Sequence, residues 1–460
     1  MKIDPGSFRD PSGRILRSGE RIFRAVYAHG APAYEAAKKA GVLDRAVERG
    51  QLLAFEEIEV STVRDSGPAP TYLLEHPRLD FVSHPYEWTF SGLKAAALLQ
   101  LDFQIDLLAD DFTLSDATAY NVQFIGTRPV FIDHLSVLPY EPTAGWAGQR
   151  QFAMQYLGPL LLWSKRGIAP NAWFRGSLEG IPPEELAPLL RLRDRFSFNV
   201  LAHIIGPAAI HRRSLQRELG AEAPKPRALP KRNVEAMLKS LRAYVAGLSL
   251  PGMKTVWDNY AGCNSYNEER RNAKHAFVAK HCAAVAPKLL FDVGCNSGDF
   301  SQTALDAGAG SVVGFDFDFG ALERAFSRFA ASGAKVLPLW LDATNPSPSQ
   351  GWAAGERLGL AERSTADMVL ALALIHHLAI AKNVPLDMAV DWLMGLAPAG
   401  IIEFPNKDDP MVRELLRARA DIFPDYTEEA FLAQVKERGS IIEQTRLGEG
   451  GRFIVAYRRG

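Results

Sequence analysis

The chain has 460 residues, 47% of them hydrophobic and 23% charged, a balance that suits folded domains with buried cores and speaks against disorder. Its length exceeds what one hydrophobic core organises, so two or three domains are expected. A formal charge of -1 supplies no overall field to gather nucleic acid or an anionic membrane, which marks nucleic acid down as a partner and leaves only a local basic patch for such a role.

The opening MKIDPGSFRDPSGR lacks the apolar core of a secretory signal. The longest apolar run is interrupted by Gln100, Asp102, Gln104 and Asp106, so no membrane span is expected. Three cysteines, Cys263, Cys282 and Cys295, show no C-x-x-C spacing; this suits a reducing, cytoplasmic setting without structural zinc, and no metal site is expected.

Residues 1–165 mix short strand-like runs, such as TYLLEH and RPVFID, with one long apolar helix pattern after Ser91, which predicts an α+β domain. Behind that helix stand Asp116-Ala117-Thr118-Ala119-Tyr120-Asn121, then a strand ending Pro129-Val130-Phe131-Ile132-Asp133. The order resembles protein and aminoglycoside kinases, in which the first Asp takes a hydroxyl proton while the Asn and second Asp hold magnesium. The departures are large: Leu114-Ser115 replaces the usual His, Asp133-His134-Leu135 replaces D-F-G, and no V-A-I-K strand exists, Arg24 in RIFRAV being the nearest basic substitute. The resemblance implies a degenerate kinase-like fold, not an active kinase, with shaping or delivering an acceptor as its job. The alternative is a turn built from Asp116 and Asn121, both good turn residues.

Residues 166–250 read as a helical connector, with IPPEELAPLLRLRDRF opening on prolines suited to a first turn. Residues 222–232, EAPKPRALPKR, oppose helix and sheet alike and predict an exposed linker. Across residues 211–232 seven Arg or Lys stand against two Glu, a run able to touch a phosphate-bearing partner or merely to solvate a linker.

From residue 251 to 460 strands and helices alternate, the signature of a parallel sheet covered on both faces. Ser265-Tyr266-Asn267-Glu268 is a capping box that predicts a helix through Val285, with Ala273, Phe277 and Ala284 on one face. Leu289-Leu290-Phe291-Asp292-Val293 then feeds the turn Gly294-Cys295-Asn296-Ser297-Gly298, where glycines let a ligand approach the backbone. A second strand ends at Asp316, placed to accept bonds from ribose hydroxyls, and a third, residues 336–341, ends at Asp342-Ala343, within reach of an adenine amino group. Each acid alone is as readily a helix cap or turn residue; three at consecutive strand ends point to one ligand. NAD fits poorly, because Asn296 stands where G-x-G-x-x-G needs its middle glycine. A fourth strand, residues 367–374, runs into Ile375-His376-His377, a fifth carries Glu403, and SIIEQTRL and RFIVAYR about GEGG predict a closing hairpin.

As a set, D-V-G-C-N-S-G, G-F-D and L-D-A resemble the first three motifs of class I S-adenosylmethionine-dependent methyltransferases. The resemblance implies an α/β, Rossmann-like methyltransferase sheet with helices on both faces. Asp292, Gly294, Cys295, Asn296 and Gly298 would lie against the amino-acid part of the S-adenosylmethionine cofactor, Asp316 with Phe317 at the ribose, and Asp342 with Ala343 at adenine. Ala373, Tyr260 and Tyr266 would complete the cofactor's surroundings, the two tyrosines with Trp257 beside a lid helix; packing is the other reading for these aromatics.

The whole chain, through W-D-N-Y, A-L-I-H-H-L, N-V-P-L-D, E-F-P-N-K-D-D and I-F-P-D-Y-T-E-E-A-F, resembles a bacterial family that includes host-specific nodulation proteins. That resemblance implies a methyltransferase whose acceptor is a saccharide or other small molecule.

Methyl transfer from a sulfonium is an in-line displacement, so alignment does most of the work and a base is needed only to take the acceptor's proton. A histidine, with a pKa near ~6.5, suits that task. His377 is the first candidate, His376 its neighbour, and Glu403 the second choice, since an acid at a central strand end is otherwise costly to bury. No D-P-P-Y or N-P-P-Y follows the fourth strand, which marks down adenine amino methylation, and no catalytic cysteine pair is present for pyrimidine carbon methylation. An RNA methyltransferase and a non-catalytic nucleotide-binding scaffold remain the alternatives. The sequence specifies no oligomeric state.

Overall fold

The computed structural model describes residues 2–62, 69–142, 146–215, 228–250, 268–363, 366–417, 419–448 and 451–460. They divide into two units, residues 1–252 with 350–357, and residues 253–349 with 358–460. Tyr260 and Tyr266, with Trp257, Cys263 and the Ser265-Tyr266-Asn267 start of the capping box, lie outside the described residues, as does most of the proline-rich stretch before residue 228.

The first unit carries a five-stranded antiparallel sheet in the order β1 (Lys2–Ile3), β2 (Gly13–Ser18), β3 (Arg21–Val26), β5 (Tyr72–His76), β4 (Glu56–Ile58). Two further pairs follow, β6 (Phe112–Leu114) with β9 (Val137–Pro139) and β7 (Val122–Ile125) with β8 (Arg128–Phe131). The long helix spans Phe90–Ala109 and starts where the Thr89 hydroxyl accepts from Gly92 N. The polar residues that broke its apolar run have structural duties. Gln104 Oε1 accepts from Leu114 N at 2.9 Å, Gln100 Nε2 donates to the Asp116 carbonyl at 3.2 Å, and Asp102 takes a bidentate bond from Arg242 at 2.8 and 3.1 Å.

Arg242 belongs to the helix Lys231–Ala246, so the stretch expected as a connector packs within the first unit. The helix expected from IPPEELAPLLRLRDRF is short: Pro183–Leu186 gives way to 3-10 turns at Ala187–Leu189 and Leu192–Phe196. Pro188, lacking an N–H, cannot continue the ladder. Residues 350–357 also belong to this unit, where Glu356 takes a bidentate bond from Arg9, both at 2.8 Å, and the Arg357 guanidinium lies 4.2 Å from the Tyr120 ring centroid.

The second unit is a seven-stranded sheet. β10 (Leu289–Val293), β11 (Ser311–Asp316), β12 (Val336–Trp340), β13 (Met368–Ala371) and β14 (Ala399–Pro405) run parallel, and β16 (Arg452–Arg459) pairs antiparallel with both β14 and β15 (Gly439–Arg446). The order β12-β11-β10-β13-β14-β16-β15 places a parallel sheet beside a closing antiparallel pair, as the alternation of strands and helices and the terminal hairpin led one to expect. All residues of β10, β13 and β14 are buried, as continuous apolar runs covered on both faces must be. Order reverses between β10 and β13, since β10 leads on to β11 on one side and β13 to β14 on the other, so the connections diverge there and leave a crevice.

One expected face needs correcting. The helix Glu268–Val285 buries Lys274, Phe277, Val278, His281 and Cys282, while Ala273 and Ala284 are exposed. Lys274 goes inward because a buried carboxylate neutralises it, which an apolar-periodicity reading does not register. Among the described residues no helix is long and apolar enough to cross a membrane, and no group of three or more His, Cys, Asp or Glu is arranged to hold a metal.

Candidate functional site

A cavity of about 480 Å³ opens at the carboxyl ends of β10, β11, β12 and β13, within the usual range for a ligand pocket. Its wall includes Asp292, Gly294, Cys295, Asn296, Asp316, Phe317, Asp342, Ala343, Ala373 and His377. The motif residues expected at a cofactor are therefore brought together, except Gly298 and the two tyrosines outside the described residues.

The loop after β10 is folded by its own backbone. Gly294 has φ +85° and Gly298 φ +82°, a region costly for side chains. At Gly298 a Cβ would also stand 2.5 Å from the Phe329 ring, so this glycine shapes the helix start at Asp299–Asp306 instead of lining the cavity. Gly294 N and Cys295 N donate to the Phe315 carbonyl at 2.8 and 3.0 Å, tying the loop to β11. Ala373, at the end of β13, also holds a positive φ of 50°, a conformation that L residues adopt at a cost and that clusters at binding sites.

Asp316 is fixed from both sides: Asn296 N donates to Oδ2 and Asp318 N to Oδ1, each at 2.8 Å. Each oxygen keeps a lone pair. Burial pushes its pKa up, partly opposed by those backbone bonds. Burial also pushes Asp292 up to about 6, with the Ser301 hydroxyl donating to Oδ2 at 2.6 Å. Thr344 N and its hydroxyl both donate to Asp342 Oδ1, at 2.9 and 2.7 Å. Beside Asp316, the Trp340 indole donates to the Phe317 carbonyl at 3.1 Å and stacks on Phe319 at 5.7 Å between centroids. The Cys295 thiol is pushed well up by burial, which disfavours the thiolate form.

The three residues expected as bases separate. His377 lines the cavity, and burial, with Arg452 adding to it, pushes its pKa down to about 4. His376 is fully buried off the wall, neither ring nitrogen has a hydrogen-bond partner among the described residues, and its ring packs 4.1 Å from that of His377. Glu403 is also off the wall. Its Oε2 accepts from Lys274 Nζ at 2.5 Å and its Oε1 from Arg452 Nη1 at 3.2 Å, while Arg452 also pairs with Asp409. Burial raises the Glu403 pKa, but the two cations outweigh it and hold the carboxyl below its ordinary value.

Sequence reasoning missed Arg271, Lys274, His275, Lys382 and Leu415 on the cavity wall. The spacing of 271, 274 and 275 on one helix face was the available signal.

In the first unit, Asn121 Nδ2 donates to Asp116 Oδ1 at 3.1 Å and to Asp133 Oδ2 at 3.4 Å. Arg24, on β3, pairs with Asp133 Oδ1 at 2.8 Å, and the Ser136 hydroxyl donates to Asp133 Oδ2 at 2.6 Å. Burial, with Asp133 nearby, pushes Asp116 up to about 6.

No protein-family model matches the chain. The N-methyltransferase NodS from Bradyrhizobium japonicum WM9 aligns with 42% of this chain and 98% of its own, at 12% identity and a TM-score of 0.31. Magnesium protoporphyrin IX methyltransferase ChlM from Synechocystis PCC 6803 aligns with 44% of this chain and 93% of its own, at 19% identity and a TM-score of 0.32. Nodulation protein NoeA of Rhizobium meliloti strain 1021 is 44% identical over 456 residues, covering 99% of this chain and 95% of NoeA. At that identity over nearly the full length of both proteins, the chain belongs to the NoeA family of nodulation proteins.

Proposed function

We propose that the protein is an S-adenosylmethionine-dependent methyltransferase whose catalytic part is residues 251–460, acting on a hydroxyl or amine of a small molecule or saccharide. The observation that carries this reading is the convergence of the Gly294 loop, Asp316 and Asp342, from three adjacent parallel strands, on one cavity. The fit to the cofactor is chemical: Asp316 keeps an acceptor lone pair on each oxygen for a ribose diol, Asp342 lies one strand over for adenine, and the glycine turn admits close approach. The bound cofactor supplies an electrophilic methyl on a sulfonium.

The chain's own task is then alignment, water exclusion and removal of one proton. His377 is assigned that proton. With its pKa pushed to about 4, its imidazole is neutral at physiological pH and able to accept. It is a weak base, matched to an acceptor proton that becomes acidic only as the new bond to carbon forms. His376 and Glu403 are assigned structural roles, because one is sealed away and the other is spent on two cations. A saccharide acceptor draws its support from the relative's designation as a nodulation protein.

Two measurements test this. S-adenosylhomocysteine should raise the melting temperature, and Asp316→Ala should abolish the rise; no rise in the parent at millimolar ligand refutes cofactor binding. Transfer of labelled methyl from S-adenosylmethionine into fractionated lysate should mark glycan or small-molecule pools, and labelling of RNA alone would replace the acceptor class.

A second reading concerns residues 1–165. The antiparallel sheet followed by the long helix and two short hairpins, with Arg24, Asp116, Asn121 and Asp133 drawn together, supports a degenerate kinase-like fold. Arg24 and Ser136 occupy the Asp133 carboxylate and Asn121 bridges it to Asp116, so the cluster is proposed to lack phosphoryl transfer. ATP-dependent labelling that disappears in Asp133→Ala would overturn this.

A further inference from the structure

Residues 186–212 carry apolar side chains on both sides. Leu186, Leu190, Val200, Ile204 and Ala208 are buried in the first unit. On the outside, Leu192 is 70% exposed, Phe196 72%, Phe198 66% and Ile210 68%, with Leu189 and Leu201 also exposed. Among the described residues, exposed apolar residues elsewhere occur singly along the sequence, which needs no explanation. Six in one stretch do, since an extended apolar surface marks an interaction site. Phe198–Val200, Leu201–Ile205 and Gly206–Leu215 form one continuous helix, π-helical in its middle, and the 3-10 turn Leu192–Phe196 packs on its first two segments, which brings Leu192 and Phe196 near Phe198 and Leu201, with Ile210 further along the same helix.

Arginines are interleaved with them. Arg191, Arg193 and Arg212 are exposed and Arg195 half-buried, while Asp194 is the one acid between residues 186 and 212. The sequence continues basic, with seven Arg or Lys against two Glu across residues 211–232.

We infer that residues 189–212 form a docking surface for an anionic lipid bilayer. Leu192, Phe196, Phe198 and Ile210 would enter the boundary between headgroups and acyl chains, with the arginines on lipid phosphates. Charge complementarity selects this occupant. A second copy of the chain meeting the same face about a two-fold axis would bring arginines against arginines. The attachment would be peripheral, because among the described residues no helix is suited to span a bilayer.

The test is co-sedimentation of the full chain with vesicles of phosphatidylcholine, alone or mixed with phosphatidylglycerol. Binding should require phosphatidylglycerol and weaken about tenfold or more in Phe196→Ser/Phe198→Ser and in Arg191→Gln/Arg193→Gln, while melting temperatures stay at the parent value. Absence of parental binding to the mixed vesicles overturns the inference, as does equal binding by the phenylalanine double variant. Dimerisation of the parent that Phe196→Ser abolishes would assign the face to a second copy and overturn it too.

Discussion

In the first unit, Asp116, Asn121 and Asp133 are bonded to one another and to Arg24; in the second, Asp292, Asp316 and Asp342 stand on the wall of one cavity. The second set was legible as acids at strand ends, the first as a D-x-x-x-x-N run followed by a strand ending in Asp133. They differ in what neutralises them. A guanidinium on β3 and an amide occupy the first set, whereas the second is held mainly by backbone N–H groups and hydroxyls, which orient a carboxylate without using all its lone pairs. A polar cluster serves a ligand when its scaffold fixes it and leaves acceptors over.

The largest expected effect lies behind the cavity. Glu403→Ala removes the carboxylate shared by buried Lys274 and Arg452, the latter keeping Asp409, and should cost about 3–5 kcal/mol in denaturant unfolding. A loss below about 1 kcal/mol would mean that water or rearrangement relieves the cations.

Asp316→Ala should weaken S-adenosylhomocysteine binding by about a hundredfold, near 2.7 kcal/mol, read by calorimetry. Asp133→Ala should leave that affinity unchanged. Equal losses in the two variants would erase the contrast between the units.

His377→Gln should slow methyl transfer about a hundredfold. Its pH linkage is separable. The folded pKa is pushed down to about 4 from an ordinary 6.5, so the stabilisation is fully present above pH 6.5 and is lost as pH falls through 4. By pH 5.5 the parent should have lost about 1 kcal/mol through this group, and the variant should be spared that loss. Identical stability curves would place the imidazole in water.

The smallest effect is Asn121→Ala, expected to cost about 1 kcal/mol as a lost hydrogen-bond bridge, with methyl transfer kept in the purified full chain. Loss of transfer there would give the first cluster a functional part and break the comparison.

Local chemistry made β10, β11 and β12 readable, because an apolar run stopped by an acid or glycine is encoded within ten residues. The buried face of the Glu268–Val285 helix was misread by one position, since Lys274 is satisfied by Glu403 from 129 residues away. The Pro183 helix was overextended because its opening prolines were weighed and Pro188 was not.

The amino-acid sequence by itself determined the parallel strands, the glycine turn after Asp292 and the acids at the strand ends, all products of short-range sterics and hydrophobic periodicity. Only the tertiary structure decided which polar groups face the cavity. It put His377 on the wall and sealed His376 and Glu403 away, and it set Arg24 against Asp133. Glu403 and Arg24 go where a charged partner from a distant helix or strand neutralises them, whereas His376 is packed into the core with neither ring nitrogen bonded among the described residues.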